Sequence, residues 1–257
     1  MNQPTSTSQP RLAAPRLLRV EKLGRIGYLE AMAYQEKLVA LRRQGEIPDT
    51  LLLLEHPPVF TIGRGGGWDN IRCGKDILAR EGIQIYETSR GGNITYHGPG
   101  QLVGYPIIDL SQRGKDLQGY LRSLEEILIR TLQPYLKPLG LEAQRLPGYT
   151  GVWVGNEKIA AIGVAVKGWV TMHGFALNVN TNLEHFKLIN PCGLDRPVTS
   201  LASLLHKGIP MDGLANQLIA SFARVLNYSL TGVPEARQRS SSNPNQKTHI
   251  LCDIFRP

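Results

Sequence analysis

The chain has 257 residues, 42% hydrophobic and 19% charged, a balance that excludes wholesale disorder and allows one sizeable core. It carries no run of the roughly 18 apolar residues that a membrane-spanning helix needs. Its net charge of +8 is mostly peripheral: Arg11, Arg16 and Arg19 stand unopposed near the start, and Arg237, Arg239, Lys247 and Arg256 outweigh Glu235 and Asp253 near the end. The body between them shows no basic stripe with interleaved aromatics, so nucleic acid is not an expected partner. A mildly basic surface instead favours acidic proteins through weak steering.

Residues 1–16 are rich in Ser, Thr, Gln and Pro and read as a disordered leader without the apolar stretch of a secretory signal. Mixed apolar and charged residues without Gly or Pro predict a helix over 28–43. Short apolar runs at 51–54 and 59–62, parted by Glu55-His56-Pro57-Pro58, read as strands. A brief helix is expected over 76–80, with strands at 83–86 and 102–110, and 90–101 is read as a loop. Over 116–132, Leu117, Tyr120, Leu121, Leu124, Ile127 and Leu128 recur at helical spacing, with Asp116 placed to cap the helix and Pro134 to end it. Strands at 151–154 and 158–166 flank a tight hairpin at Gly155-Asn156-Glu157. A further strand follows at 170–180, and an amphipathic helix opens at Asp212 and runs through Leu218, Phe222, Val225 and Leu226. The order predicts an α+β fold with a mixed or antiparallel sheet flanked by helices. It forms a single domain over 17–231, and 232–257 reads as a flexible tail.

Chemistry concentrates in a few places. Glycine clusters occur at 63–67 and 91–100, and clustered glycine needs a reason because it loses the most backbone entropy on folding. Turns and close backbone packing are one reason. A phosphate cradle is a second, although neither cluster matches a known phosphate loop, and a groove for an acyl or pantetheine-like arm is a third. Cys73, Cys192 and Cys252 are odd in number and far apart, which excludes a disulfide framework and fits a reducing, cytoplasmic setting. Cys192, between Pro191 and Gly193, has polar rather than apolar surroundings and is the best nucleophile candidate. A thiol needs a base or a cation to ionise at neutral pH. His97 and His173 are available, and so is Lys158, which starts an otherwise apolar strand that disfavours its ammonium form. The histidines have no metal-ligand spacing, so no metal is expected.

Three stretches, RGGNITYHGPGQLVGYPIIDL (90–110), GVWVGNEKIAAIGVAVKGWVTMHGFALNVN (151–180) and FKLINPCGL (186–194), together with LLLLEHPPVFTIGRGG (51–66), resemble the lipoyl(octanoyl) transferases of lipoate biosynthesis. A departure from that family's pattern is Asn93, where Gln is commoner. The resemblance implies a biotin/lipoyl protein ligase-like fold. It also implies an acyl thioester on Cys192, with Lys158 lowering the thiol's pKa. Substrate contacts are implied at Arg90, Gly91, Gly92, Asn93, Ile94, Thr95, Tyr96 and His97, at Ala161, Ile162 and Gly163, and at Gly174, Phe175 and Ala176. The implied donor is octanoyl-acyl carrier protein, and the acceptor is a lysine on a lipoyl domain of a 2-oxoacid dehydrogenase or glycine-cleavage protein. No cofactor is implied. An ATP-dependent ligase on the same fold and a non-catalytic docking scaffold are the rival readings.

Overall fold

The computed structural model describes residues 16–190 and 196–231. Residues 1–15 and 232–257, where leader and tail are expected, and 191–195 with Cys192, lie outside the described residues. β1 (Arg16–Arg25) leads into α1 (Tyr28–Gln44), β2 (Asp49–Glu55), β3 (Val59–Ile62), α2 (Lys75–Arg80), β4 (Gln84–Glu87), β5 (Ile94–His97) and β6 (Gln101–Ile107). α3 (Leu117–Leu136) precedes a run of four strands, β7 (Ala143–Leu146), β8 (Tyr149–Val154), β9 (Glu157–Lys167) and β10 (Val170–Asn178). Then follow α4 (Leu201–Leu205), α5 (Met211–Leu226) and β11 (Tyr228–Thr231).

Eight strands form one sheet in the order β11-β1-β2-β6-β10-β9-β8-β7, and β4-β3-β5 form a smaller one. β11, β1 and β2 run parallel. From β2 to β7 every pairing is antiparallel. Alternation along β10 divides the interior into layers. Phe175, Leu177 and Val179 enter the larger core, which holds the apolar faces of α3 and α5. Met172 and Ala176 point to the opposite face, which Ala31, Leu38 and Val39 of α1 cover over part of its length. The small sheet has its own core of Phe60, Ile62, Ile94 and Tyr96, closed by Phe186 and Ile189.

The expected α+β architecture, with a mixed sheet flanked by helices, is the one observed. Asp116 caps α3 as expected, its Oδ1 accepting the Gly119 N–H at 2.8 Å. The expected stop at Pro134 does not occur: Pro134 lies inside the helix, which continues to Leu136. Proline forfeits the bond to the carbonyl of Arg130, an exposed residue, while the buried Leu132 and Leu136 keep the last turn packed on the core. The 90–101 segment is not all loop. Ile94–His97 pair antiparallel with β3, from Ile62↔Ile94 to Val59↔His97.

Asp49 ties the sheet's far edge to its centre. Its buried carboxylate accepts from Arg42 Nε at 2.7 Å, from the Asp109 N–H at 2.9 Å and from the hydroxyl of Tyr228 at the start of β11. Asp49→Ala leaves the Arg42 cation and the Tyr228 hydroxyl without that partner. The expected loss is about 3 kcal/mol in urea unfolding, in the range for breaking a buried charge pair. A loss below about 1 kcal/mol would show that water replaces the carboxylate and that the network does not hold the edge.

Candidate active site

Lys158 is turned by a local irregularity of the sheet. Val152 pairs with Ala160 and Trp153 with Lys158, so two residues of β8 face three of β9 and Ile159 is the extra one. A bulge of this kind re-aims the side chain beside it. In an unbroken strand Lys158 and Ala160 would share a face, and Ala160 is buried in the larger core with Val152. The bulge instead puts Lys158 on the side of Trp153, its Nζ 4.8 Å from the indole centroid. The stem of Lys158 lies against Gly151, whose φ is 129°. A Cβ there would meet the Ala160 carbonyl oxygen at 2.7 Å and Lys158 Cε at 3.5 Å. Buried Glu125 of α3 fixes this glycine by accepting its N–H at 3.2 Å.

Lys158 borders a cavity of about 270 Å³ that crosses the sheet from β8 to β6 beneath the 90–97 segment. Of the expected substrate contacts, Arg90 to Thr95, His97, Ala161 to Gly163 and Gly174 to Ala176 all line it. Tyr96 does not. The pleat of β5 turns its ring into the small sheet's core, where its hydroxyl lies 2.8 Å from His185 Nδ1. The cavity also has walls that were not expected from sequence, notably Tyr28, Gln101, Tyr105, Trp153, Asn178 and Arg196. Arg196 stacks its guanidinium on Tyr149 at 4.7 Å and approaches Trp153 at 5.8 Å, beside Lys158.

The two glycine clusters pack against each other. The N–H groups of Gly63, Arg64 and Gly65 donate to the carbonyls of Asn93, Arg90 and Gly92 at 3.2, 3.0 and 3.0 Å. A Cβ on Gly63 would lie 2.4 Å from the Gly92 oxygen, so the crossing demands glycine. These amides are committed to the protein, which favours close packing over a phosphate cradle. Arg90 is committed too: its guanidinium donates to Thr61 Oγ1 at 2.9 and 3.1 Å, to the Thr61 carbonyl at 2.5 Å and to the Gly91 carbonyl at 3.0 Å. Asn93 turns back on its own chain, its Oδ1 accepting the Ile94 N–H at 2.6 Å.

The candidate histidine bases are buried and neutral. Burial, reinforced by nearby His56, lowers His97 to about 3. Burial and the Arg90 charge lower His173 to about 4. A nitrogen that holds a proton so weakly is a poor base for a thiol whose ordinary pKa is about 8.5. Cys73, partly buried, has its thiol pushed up by burial and by Asp76, which disfavours its thiolate. Cys192 lies outside the described residues, but both flanks of its stretch are fixed. The Asn190 N–H donates to the Asn70 carbonyl at 2.7 Å, and the Pro197 carbonyl accepts the Lys158 N–H at 2.9 Å. Among the described residues no three His, Cys, Asp or Glu side chains gather in a metal-binding group.

The model of the lipoyl protein ligase A/B catalytic domain matches residues 27–223. The octanoyltransferase of Solibacter usitatus is 51% identical over 211 residues, covering 82% of this chain and 94% of that protein. That of Caldicellulosiruptor bescii is 53% identical over 210 residues, covering 81% and 91%. Among solved structures, a bi-partite lipoate protein ligase from Thermoplasma acidophilum superposes with a TM-score of 0.64 at 18% identity, covering 85% of this chain and 86% of that one. Lipoate-protein ligase A bound with ATP gives 0.59 at 19% identity, covering 86% and 90%. At such low identity these two show the shared fold, and the closer relatives show the branch. The chain belongs to the lipoyl protein ligase A/B catalytic-domain family, and within it to the octanoyltransferases.

Proposed function

We propose that the enzyme transfers octanoyl from acyl carrier protein to a lysine of a lipoyl domain, through a thioester on Cys192 with Lys158 as the base. One observation carries this reading. The bulge in β9 turns Lys158 to the cavity, while its main chain is hydrogen-bonded to Pro197, five residues after Cys192. The cavity wall beside Lys158 offers Ala161, Gly163, Gly174 and Ala176, small residues against which a flexible acyl chain can lie. Each methylene removed from water there contributes about 0.8 kcal/mol.

The chemistry balances without an added cofactor. Lys158 takes the Cys192 thiol proton, and the thiolate attacks the thioester carbonyl carbon. The bond from that carbon to the carrier's sulfur breaks, and Lys158 returns the proton to the departing thiolate. The acceptor amine then attacks the enzyme thioester, an amide forms, and the Cys192 sulfur leaves, its proton supplied by the amine through Lys158. Carboxyl activation is already present in the donor thioester, so no nucleotide is consumed. Thiol chemistry of this kind suits a reducing cytoplasm. Among the described residues no helix is long and apolar enough to cross a membrane. The acceptor is a lipoyl domain of a 2-oxoacid dehydrogenase or glycine-cleavage protein.

Intact mass measurement after incubation with octanoyl-acyl carrier protein should show one octanoyl adduct, mapped to Cys192, which disappears when a lipoyl domain is added. An adduct on Cys73 or Cys252 would overturn the site. An adduct formed from free octanoate only with ATP would identify a ligase instead. Lys158→Arg keeps a positive charge but supplies no base near neutral pH, so acylation should slow by a factor of about 100 or more. A rate within threefold of wild type would reduce Lys158 to a fixed charge.

A further inference from the structure

We propose that Asn178 is a positioning residue for acyl transfer, its side-chain amide setting the place of the 197–199 stretch and, through it, of Lys158. The proposal rests on the reading of Lys158 and Cys192 given above. β10 ends at Asn178, and beyond it the ladder position beside β9 is taken by the incoming 197–199 stretch, which forms a parallel bridge at Lys158↔Val198. Asn178 therefore sits at the seam between a regular strand and the chain that returns from Cys192.

A directional series of hydrogen bonds crosses that seam. Gln101 Nε2 donates to the Tyr96 carbonyl at 3.1 Å and to Asn178 Oδ1 at 3.0 Å. Its Oε1 accordingly faces His97 Nδ1, 2.8 Å away. Because His97 is neutral at working pH and meets an acceptor on Nδ1, its proton lies on that nitrogen. With its oxygen taken by Gln101, Asn178 turns its Nδ2 to the Thr199 carbonyl, 3.0 Å away. The Thr199 N–H then donates to the Lys158 carbonyl at 3.0 Å, and the Lys158 N–H donates to the Pro197 carbonyl at 2.9 Å. Gln101, Asn178 and Thr199 are 1%, 4% and 3% exposed, so solvent cannot readily replace a missing partner. His97, expected from sequence as a substrate contact or base, also orients the amides that hold Lys158.

Asn178→Asp tests this with an isosteric side chain. At neutral pH the carboxylate still accepts from Gln101 but offers Thr199 no donor. The turnover number should fall by about tenfold to a hundredfold, as expected when a catalytic group is displaced by about an ångström, with KM within about threefold. Lowering the pH protonates the aspartate, whose pKa is raised by burial and by the facing carbonyl, and restores a donor. The ratio of Asn178→Asp to wild-type turnover should therefore rise from about pH 8 to pH 5, whereas Asn178→Leu should stay low throughout. A wild-type turnover number in Asn178→Leu, or a flat Asn178→Asp ratio, would overturn the proposal. So would a raised KM at unchanged turnover, which would make Asn178 a direct substrate contact. Gln101→Met cuts the series one step upstream and should lower turnover less than Asn178→Leu; if the Asn178 variants do not fold, wild-type turnover in Gln101→Met refutes the proposal. Lys158→Ala and Cys192→Ala belong in the same assay: activity in either would sink the underlying reading, whereas inactivity of both with normal Asn178 variants would sink this proposal alone.

Discussion

One surplus residue in β9 decides which side of the sheet holds the Lys158 side chain. Were Ile159 paired in regular register, Lys158 would share a face with Ala160 and enter the core beneath α3. Placing an ammonium there would cost several kcal/mol. The bulge exchanges that penalty for a small loss of ladder bonding and sends the side chain across Trp153 into the cavity. Gly151 and the buried Glu125 behind it follow from the same constraint, because the bulged strand needs a partner backbone with no Cβ at that point.

Several polar groups of the cavity wall are committed to other groups of the protein. Arg90 spends donors on Thr61 and Gly91, and the Gly63, Arg64 and Gly65 amides donate to the carbonyls of Asn93, Arg90 and Gly92. Behind the wall residue Tyr105, His56 is held by the Ile26 carbonyl and the Tyr105 hydroxyl, both at 2.8 Å, and burial lowers it to about 4. Small residues, Ala161, Gly163, Gly174 and Ala176, line the cavity beside Lys158. Where one polar group has its geometry set by another in this way, little reorganisation is needed when a reactant arrives.

Much of the architecture is legible in the sequence where periodicity is strong. The apolar spacing of 117–128 and the Asp116 cap mark α3, and the run at 59–62 coincides with β3. Short strands are less legible. β5 is four residues inside a glycine-rich stretch and exists because β3 pairs with it, and β7 and β11 are equally short. The cavity-lining stretches were indicated by motif resemblance and not by periodicity, which also could not foresee that the pleat turns Tyr96 away. Neither the bulge at Ile159 nor the role of Asn178 is visible in a linear reading. Both depend on which strand meets which, and at what register, across more than one turn of the chain.

The pairing of the first described strand with the last has a kinetic side. Leu18 meets Leu230 across the parallel β1–β11 ladder, so this contact joins residues more than two hundred positions apart. On a ribosome β1 emerges long before β11 exists, and until then its outer edge is open, with Leu17 on it still half exposed in the finished fold. Closing so long a loop is among the slower steps available to a chain of this size. The edge farthest from the cavity is therefore the part of the molecule whose completion waits on synthesis, and its exposed strand is where an incomplete chain is most prone to pair with a neighbour.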